Sequence, residues 1–229
     1  MTIELITFDL DDTLWHTAPV IMRAEETLRQ WLAVNAPDVG ALEPGTFQAI
    51  REQVLSEHPH LKHRISALRR HVLFHALQEA QYADAHALAD AAFEVFIEAR
   101  HALEVFPQVE PMLALLAREY ALGVVTNGNA DVRRIGLGHH FRFVLCAEDI
   151  GIAKPDARLF HEALSRGGVK AGAAVHVGDH PGDDIAGAQQ AGLRAVWFNP
   201  GGNIWQGDTR PDAEIGCLSE LPQVLKHFG

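Results

Sequence analysis

The sequence predicts an α/β fold: a doubly wound, mainly parallel sheet carrying an inserted all-α segment after its first strand. Three observations carry that prediction. Short β-branched or aromatic segments run into glycine or polar turns. From position 102 onward such segments alternate with amphipathic helical stretches, the pattern of a doubly wound sheet. More than 100 residues without a strand signal separate the first segment from the second.

In chain order, the first strand is read over Ile3 to Phe8. Beyond it, apolar residues recur at helical spacing, as at Leu61, Ile65, Leu68 and Val72. A parallel crossover needs only about a dozen residues, so roughly 85 residues here form an insertion the size of a small domain. A helix over Val109 to Tyr120 then leads to strands over Leu122 to Thr126 and Phe143 to Ala147. A helix over Ala157 to Arg166 precedes a strand over Ala174 to Val177. A helix over Asp183 to Ala191, a strand over Ala195 to Phe198 and a helix over Ser219 to His227 complete the reading. The chain thus divides into a core of residues 1–15 and 102–229 and an insertion of residues 16–101.

Composition narrows the function. With 229 residues, 48% hydrophobic and 21% charged, the chain is long and apolar enough to bury a sizeable core, and disordered or fibrous classes are excluded. No apolar run approaches the roughly 18 residues of a membrane span. Glu4 interrupts the N-terminal apolar stretch and no basic region precedes it, so no signal peptide is read and a cytoplasmic protein is expected. Cys146 and Cys217 make neither a metal spacing nor a disulfide framework. A net charge of -11 argues against a nucleic-acid partner. Nothing in the sequence sets an oligomeric state.

The acidic residues cluster where chemistry is expected. The first strand runs into Asp9-Leu10-Asp11-Asp12-Thr13, three carboxylates within four positions. Ligands of open α/β sheets bind beyond the carboxyl ends of strands. Residues two apart on extended backbone share a face, which groups Asp9 with Asp11 and turns Asp12 away. The second strand ends in Thr126-Asn127-Gly128, a hydroxyl and an amide beside a glycine that permits close approach. Lys154 follows in Ala-Lys-Pro-Asp. The fourth strand ends in Gly178-Asp179-His180-Pro181-Gly182-Asp183-Asp184. Two acidic strand ends suit a hard cation such as Mg2+, which takes carboxylate oxygens, waters and phosphate oxygens.

These four stations, in this order, resemble the haloacid dehalogenase superfamily, whose members are mostly phosphatases that form an aspartyl phosphate. The resemblance implies a Rossmann-like core with the insertion as a helical cap of the first type. It implies a small phosphorylated metabolite as substrate and Mg2+ as cofactor. Asp9 would be the nucleophile and Asp11 the general acid and base. Mg2+ would be held by Asp9, the backbone carbonyl of Asp11, Asp179 and the second acid of the last motif. The run after Asp179 aligns best with Asp184 in that place, while Asp183 stays eligible. Thr126 and Lys154 would grip phosphoryl oxygens, with Asn127 a helper. True dehalogenases of the superfamily lack the second acid of the first motif, and Asp11 and the Asp179 cluster would have no task in one.

A narrower resemblance lies in Phe-Asp-Leu-Asp-Asp-Thr-Leu-Trp, Thr-Asn-Gly-Asn-Ala at 126–130 and Arg-Ala-Val-Trp-Phe-Asn-Pro-Gly-Gly at 194–202. It is to a bacterial branch associated with flavin mononucleotide and the phosphorylated ribitylaminouracil intermediate of riboflavin synthesis. Two other classes fit the same motifs: a phosphosugar mutase using the same aspartyl phosphate, and a non-enzymatic phosphate-binding module.

The insertion holds its own signal. Residues 58–78 contain no carboxylate but carry Lys62, Arg64, Arg69 and Arg70 with five histidines. The expectation is a basic helix face that attracts the phosphorylated substrate, with Arg69, beside the apolar stripe, as its contact. His71 and His75 lie one turn apart with no third ligand at suitable spacing. Trp15 and Trp205 are candidates to stack on a planar substrate, whereas Trp197 and Cys146 read as strand core.

Overall fold

The computed structural model describes residues 2–43 and 45–228. Its strands are β1 (Leu5–Phe8), β2 (Ala121–Thr126), β3 (Phe143–Cys146), β4 (Ala174–Gly178), β5 (Arg194–Phe198) and β6 (Ala213–Ile215). They form one sheet in the order β3-β2-β1-β4-β5-β6, and every neighbouring pair is parallel. A parallel sheet must be covered on both faces, and Leu5, Ile6 and Phe8 are accordingly all fully buried. β6 lies outside the sequence reading. Three residues, one of them Glu214, give too short a pattern to detect. Its place is set by pairing with β5, and by Asp212, whose carboxylate accepts the Ala195 N–H at 2.9 Å.

Two compact units emerge, Met1–His16 with Glu104–Gly229, and Thr17–Leu103. The second contains α1 (Thr17–Asn35), α2 (Thr46–Glu57), α3 (Ile65–Glu79) and α4 (Ala85–His101), with no strand among its described residues. Ala24, Leu28 and Leu32, one turn apart on α1, join Leu73 and Leu77 of α3 and Ala89, Phe93 and Phe96 of α4 in one core. A smaller core gathers Ile50, Val54, Leu61, Leu68 and Ala76. Leu61 lies on a 3-10 turn begun by Pro59, so the helix read through it starts only at Ile65.

The sheet unit carries α5 (Val109–Leu116), α6 (Ala147–Ile150), α7 (Ala157–Gly167), α8 (Gly187–Gln190) and α9 (Leu221–Leu225). Leu5, Val125, Leu145, Ala174 and Ala195 share one face and pack on Leu159, Phe160 and Ala163 of α7 and Ala188 of α8. Where one helix was expected over 183–191, residues Pro181–Ala186 form a wide π-type turn before α8. His180 sets that turn: its Nδ1 accepts the Asp183 N–H, while its own N–H donates to Asp184 Oδ2.

The strand order reverses direction between β1 and β4, and this is where the carboxyl ends open a crevice. Phe8 is in register with Val124 of β2 and Val177 of β4. Asp9, Thr126 and Asp179 therefore leave the sheet along the same edge. No helix among the described residues is long and apolar enough to cross a membrane.

Leu77 is fully buried in the larger helical core. Leu77→Ala is expected to lose about 2–5 kcal/mol of stability, measured by urea unfolding. A loss below about 1 kcal/mol would mean that this packing is not formed.

Candidate active site

Asp9 continues β1 by one residue, its N–H donating to the Val177 carbonyl at 2.9 Å, so its carboxylate emerges from a rigid strand. The Lys154 ammonium stands between two acids, 2.6 Å from Asp9 Oδ1 and 2.6 Å from Asp184 Oδ1. All three residues are buried. Asp179 joins them, and one carboxylate oxygen from each of Asp9, Asp179 and Asp184 lies within 4.8 Å of the others. Glycine makes this possible: a Cβ on Gly178 would collide with the Asp184 carboxyl.

Three carboxylates against one ammonium leave the group electrostatically unfinished. Burial, followed by the effects of Asp184 and Asp11, raises the Asp9 carboxyl despite Lys154. Burial with Asp184 and Asp12 pushes Asp179 up to about 6. Burial works the same way on Asp184, but Lys154 and His176 beside it hold it well below the usual carboxylate range. Lys154 loses by burial and gains more from Asp184 and Asp9, so it stays an ammonium.

The loops are held by specific donors. Trp15 Nε1 donates to Asp11 Oδ1 at 3.0 Å, and the other Asp11 oxygen lies against the bare Cα of Gly128. Asp12 adopts a left-handed backbone (φ 58°) and is exposed. Asn127 brackets the Lys154 segment: its Oδ1 accepts the Lys154 N–H at 2.8 Å and its Nδ2 donates to the Lys154 carbonyl at 3.1 Å. Thr126 is buried, with its Oγ1 accepting the Gly128 N–H. Asp183 keeps 39% of its side chain exposed, whereas Asp184 is buried in the network.

A family model described as haloacid dehalogenase-like hydrolase matches residues 3–192. The chain belongs to that family. The 5-amino-6-(5-phospho-D-ribitylamino)uracil phosphatase YigB of Escherichia coli K12 is 32% identical, over 97% of this chain and 96% of its own. A glyceraldehyde 3-phosphate phosphatase of Methanopyrus kandleri is 31% identical over 99% and 98%. Among solved structures, the 2-haloacid dehalogenase from Pseudomonas syringae pv. tomato DC3000 superposes with a TM-score of 0.98 at 59% identity, over the whole of both chains.

Sequence reasoning passed over several residues of this haloacid dehalogenase-like site. His176 lies in mid-strand, fully buried, with Nε2 3.0 Å from Asp184 Oδ1 and Nδ1 2.9 Å from Thr7 Oγ1. A histidine framed by valines was the available signal, and it was absorbed into the strand pattern. Trp197 is core, as read, but its Nε1 also donates to the Asp179 carbonyl at 2.7 Å. Cys146 is half-buried and donates to the Gly128 carbonyl, and burial pushes its thiol up to about 11, which makes it a brace and not a nucleophile. Trp15 is fully buried and offers no stacking face, while Trp205 is half-buried with its ring edge-on to Trp197.

Arg69 belongs to the helical unit. Its guanidinium pairs with Glu25 at 2.7 Å and lies 3.7 Å over the Phe96 ring. Arg70 likewise pairs with Asp90 and Glu94 over Phe93. Two of the four cations in the basic stretch are therefore neutralised inside their own unit, while Lys62 and Arg64 are exposed. His58, His71, His75 and His86 line a cavity of about 300 Å3 in the same unit.

Burial holds His176 below its ordinary range, so it is folded as neutral imidazole, donating Nε2–H to Asp184. An unfolded chain takes up that proton as the pH falls below about 6.5. The contribution of His176 is therefore complete above that pH and is lost on acidification. His176→Asn should be less stable at neutral pH, yet its stability should fall less steeply between about pH 7 and pH 5, by up to about 1.4 kcal/mol per pH unit. Parallel slopes in urea unfolding would show that His176 is not the buried neutral group described.

Proposed function

We propose that the protein is a Mg2+-dependent phosphomonoester hydrolase that works through an aspartyl phosphate on Asp9. The observation that carries this reading is the convergence of Asp9, Asp179 and Asp184 around a single ammonium. An all-oxygen donor set with uncompensated negative charge fits a hard divalent cation. Asp9, Asp179 and Asp184, with the Asp11 carbonyl, would hold it. When bound, it supplies positive charge that screens the phosphate dianion from the carboxylates.

The residues then divide the work. Asp9 attacks phosphorus, the P–O bond to the alcohol breaks, and Asp11 gives its proton to the departing oxygen. In the second step Asp11 takes a proton from water, whose oxygen attacks the aspartyl phosphate; inorganic phosphate leaves and Asp9 is restored. Lys154 and Thr126 are assigned to phosphoryl oxygens. Asn127, through its two bonds to the Lys154 backbone, positions that lysine. Asp184 anchors Lys154 from below, fixed in turn by His176.

For the substrate, the relatives named as phosphatases support a small phosphorylated metabolite. Full-length similarity to YigB favours the phosphorylated ribitylaminouracil among them, and the three segments that resemble the riboflavin-related branch add flavin mononucleotide. We assign substrate choice to the helical unit. Arg69→Ala tests that assignment: KM for these two substrates should rise while kcat stays within about threefold, and an unchanged KM across a panel of phosphate esters would remove Arg69 from substrate binding.

The dehalogenase named at 59% identity supports a second reading, in which Asp9 attacks carbon, halide leaves and water hydrolyses the resulting ester. That reaction needs no proton for the departing halide and no metal ion, so Asp11 and Asp179 have no assigned role in it. Release of phosphate from an aryl phosphate and of chloride from 2-chloropropionate should be measured side by side, with and without chelator. The phosphatase reading expects phosphate release that chelation stops, that Asp9→Asn abolishes and that Asp11→Asn lowers by about 10^2 to 10^4. Chelator-resistant chloride release without phosphate turnover would establish the other.

A further inference from the structure

A second group of side chains in the sheet unit shares no residue with the proposed active site. Glu110, in the first turn of α5, meets His139 and His140, on the short 3-10 turn Gly138–His140 that precedes β3. One ligand atom from each lies within 4.8 Å of the other two. We infer that these three residues form a site for a borderline divalent transition-metal ion, Zn2+ foremost.

The distances fit such an ion. Four-coordinate Zn2+ with bonds of about 2.0–2.1 Å sets its ligand atoms about 3.4 Å apart. Glu110 Oε1 stands 3.6 Å from His139 Nε2 and 2.9 Å from His140 Nε2. The longer separation is already right. The shorter is that of a hydrogen bond, and it opens by about half an ångström when an ion replaces the proton.

The tautomer of His139 points the same way. His139 Nδ1 lies 2.9 Å from the Gly136 carbonyl, which can only accept, so Nδ1 carries the ring proton. Nε2 is therefore the nitrogen left to face the Glu110 oxygen, and it becomes a ligand lone pair when a metal ion takes the place of a proton there. A metal-bound imidazole whose other nitrogen donates to a backbone carbonyl is the usual supporting arrangement. The His139 and His140 rings stand with centroids 3.9 Å apart, and both turn Nε2 to the same Glu110 oxygen.

Ligand type separates this site from the carboxylate cluster. Two imidazoles and one carboxylate select Zn2+, Ni2+ or Cu2+, whereas an all-carboxylate group suits Mg2+. The His140 side chain is 7% exposed and forms the floor, while Glu110 and His139 are more than half exposed, which leaves the ion open to water on one side. On binding, the proton that His140 Nε2 donates to Glu110 leaves that nitrogen and passes to solvent or to Nδ1. The ion would tie the start of α5 to the β2–β3 connection.

The test is calorimetric titration of the full chain with Zn2+ under saturating Mg2+, which keeps the carboxylate cluster occupied. One equivalent should bind in the wild-type chain, and its affinity should fall at least tenfold in both His139→Gln and Glu110→Gln. Both positions are exposed, so both variants should keep the wild-type circular dichroism and Mg2+-supported turnover. Visible absorption of the Co2+-loaded chain should show tetrahedral d–d bands that both variants lose. Zn2+ binding of unchanged affinity and stoichiometry in both variants, or none in the wild-type chain, would overturn the proposal.

Discussion

Lys154 occupies the position on which the rest of the site depends. Its ammonium is the cation that touches both Asp9 and Asp184 at 2.6 Å, in surroundings from which water is nearly excluded. Taking charged groups out of water costs several kcal/mol per ion, and their attraction offsets this only with short, well-satisfied contacts. Stability alone does not explain the arrangement, because an apolar replacement of the same volume would pack without that penalty. What the arrangement secures is a carboxylate held in one place at the end of a central strand.

That constraint spreads outward through named contacts. Asp184 faces Lys154 on one side and His176 on the other, and His176 reaches back to Thr7, two residues before Asp9 on the neighbouring strand. Asn127 grips the Lys154 backbone from the end of β2. Gly178 and Gly128 supply no Cβ where Asp184 and Asp11 must lie. The polar groups thus form a closed circuit over three adjacent strands, β2, β1 and β4. Sites supported by strands and packed neighbours hold their geometry better than sites built on loops alone.

Much of this was legible because strand ends are marked by an abrupt change of residue type. Apolar runs ending at Asp9, Thr126 and Asp179 gave the sheet edge, and parallel pairing brought those ends together. Other parts were hidden for physical reasons. β6 exists through its pairing with β5, which no three-residue pattern can announce. His176 and Trp197 obey strand periodicity, so their polar atoms were invisible until the lateral neighbours were known. The ambiguity between Asp183 and Asp184 concerned neighbours in sequence. The π-type turn, set by His180, buries Asp184 and leaves Asp183 more exposed. The basic stretch at 58–78 carries less free charge than its sequence suggests, because α1 and α4 bring Glu25, Asp90 and Glu94 onto Arg69 and Arg70.

The net charge of -11 has a location in the fold. Asp9 and Asp184 meet one lysine at a single sheet edge with Asp179 beside them, while the arginines Arg69 and Arg70 are matched within the helical unit. A phosphate dianion approaching that edge meets an excess of like charge, and one ammonium already engaged by two carboxylates cannot reverse it. On the proposed reading, the dication is therefore needed for entry as much as for chemistry. A 2-haloacid is also an anion, but it carries one charge, on a carboxylate beside the reacting carbon, whereas the phosphate dianion carries its charge on the reacting group itself. The concentration of acids at this edge therefore calls for a dication in the second case far more than in the first.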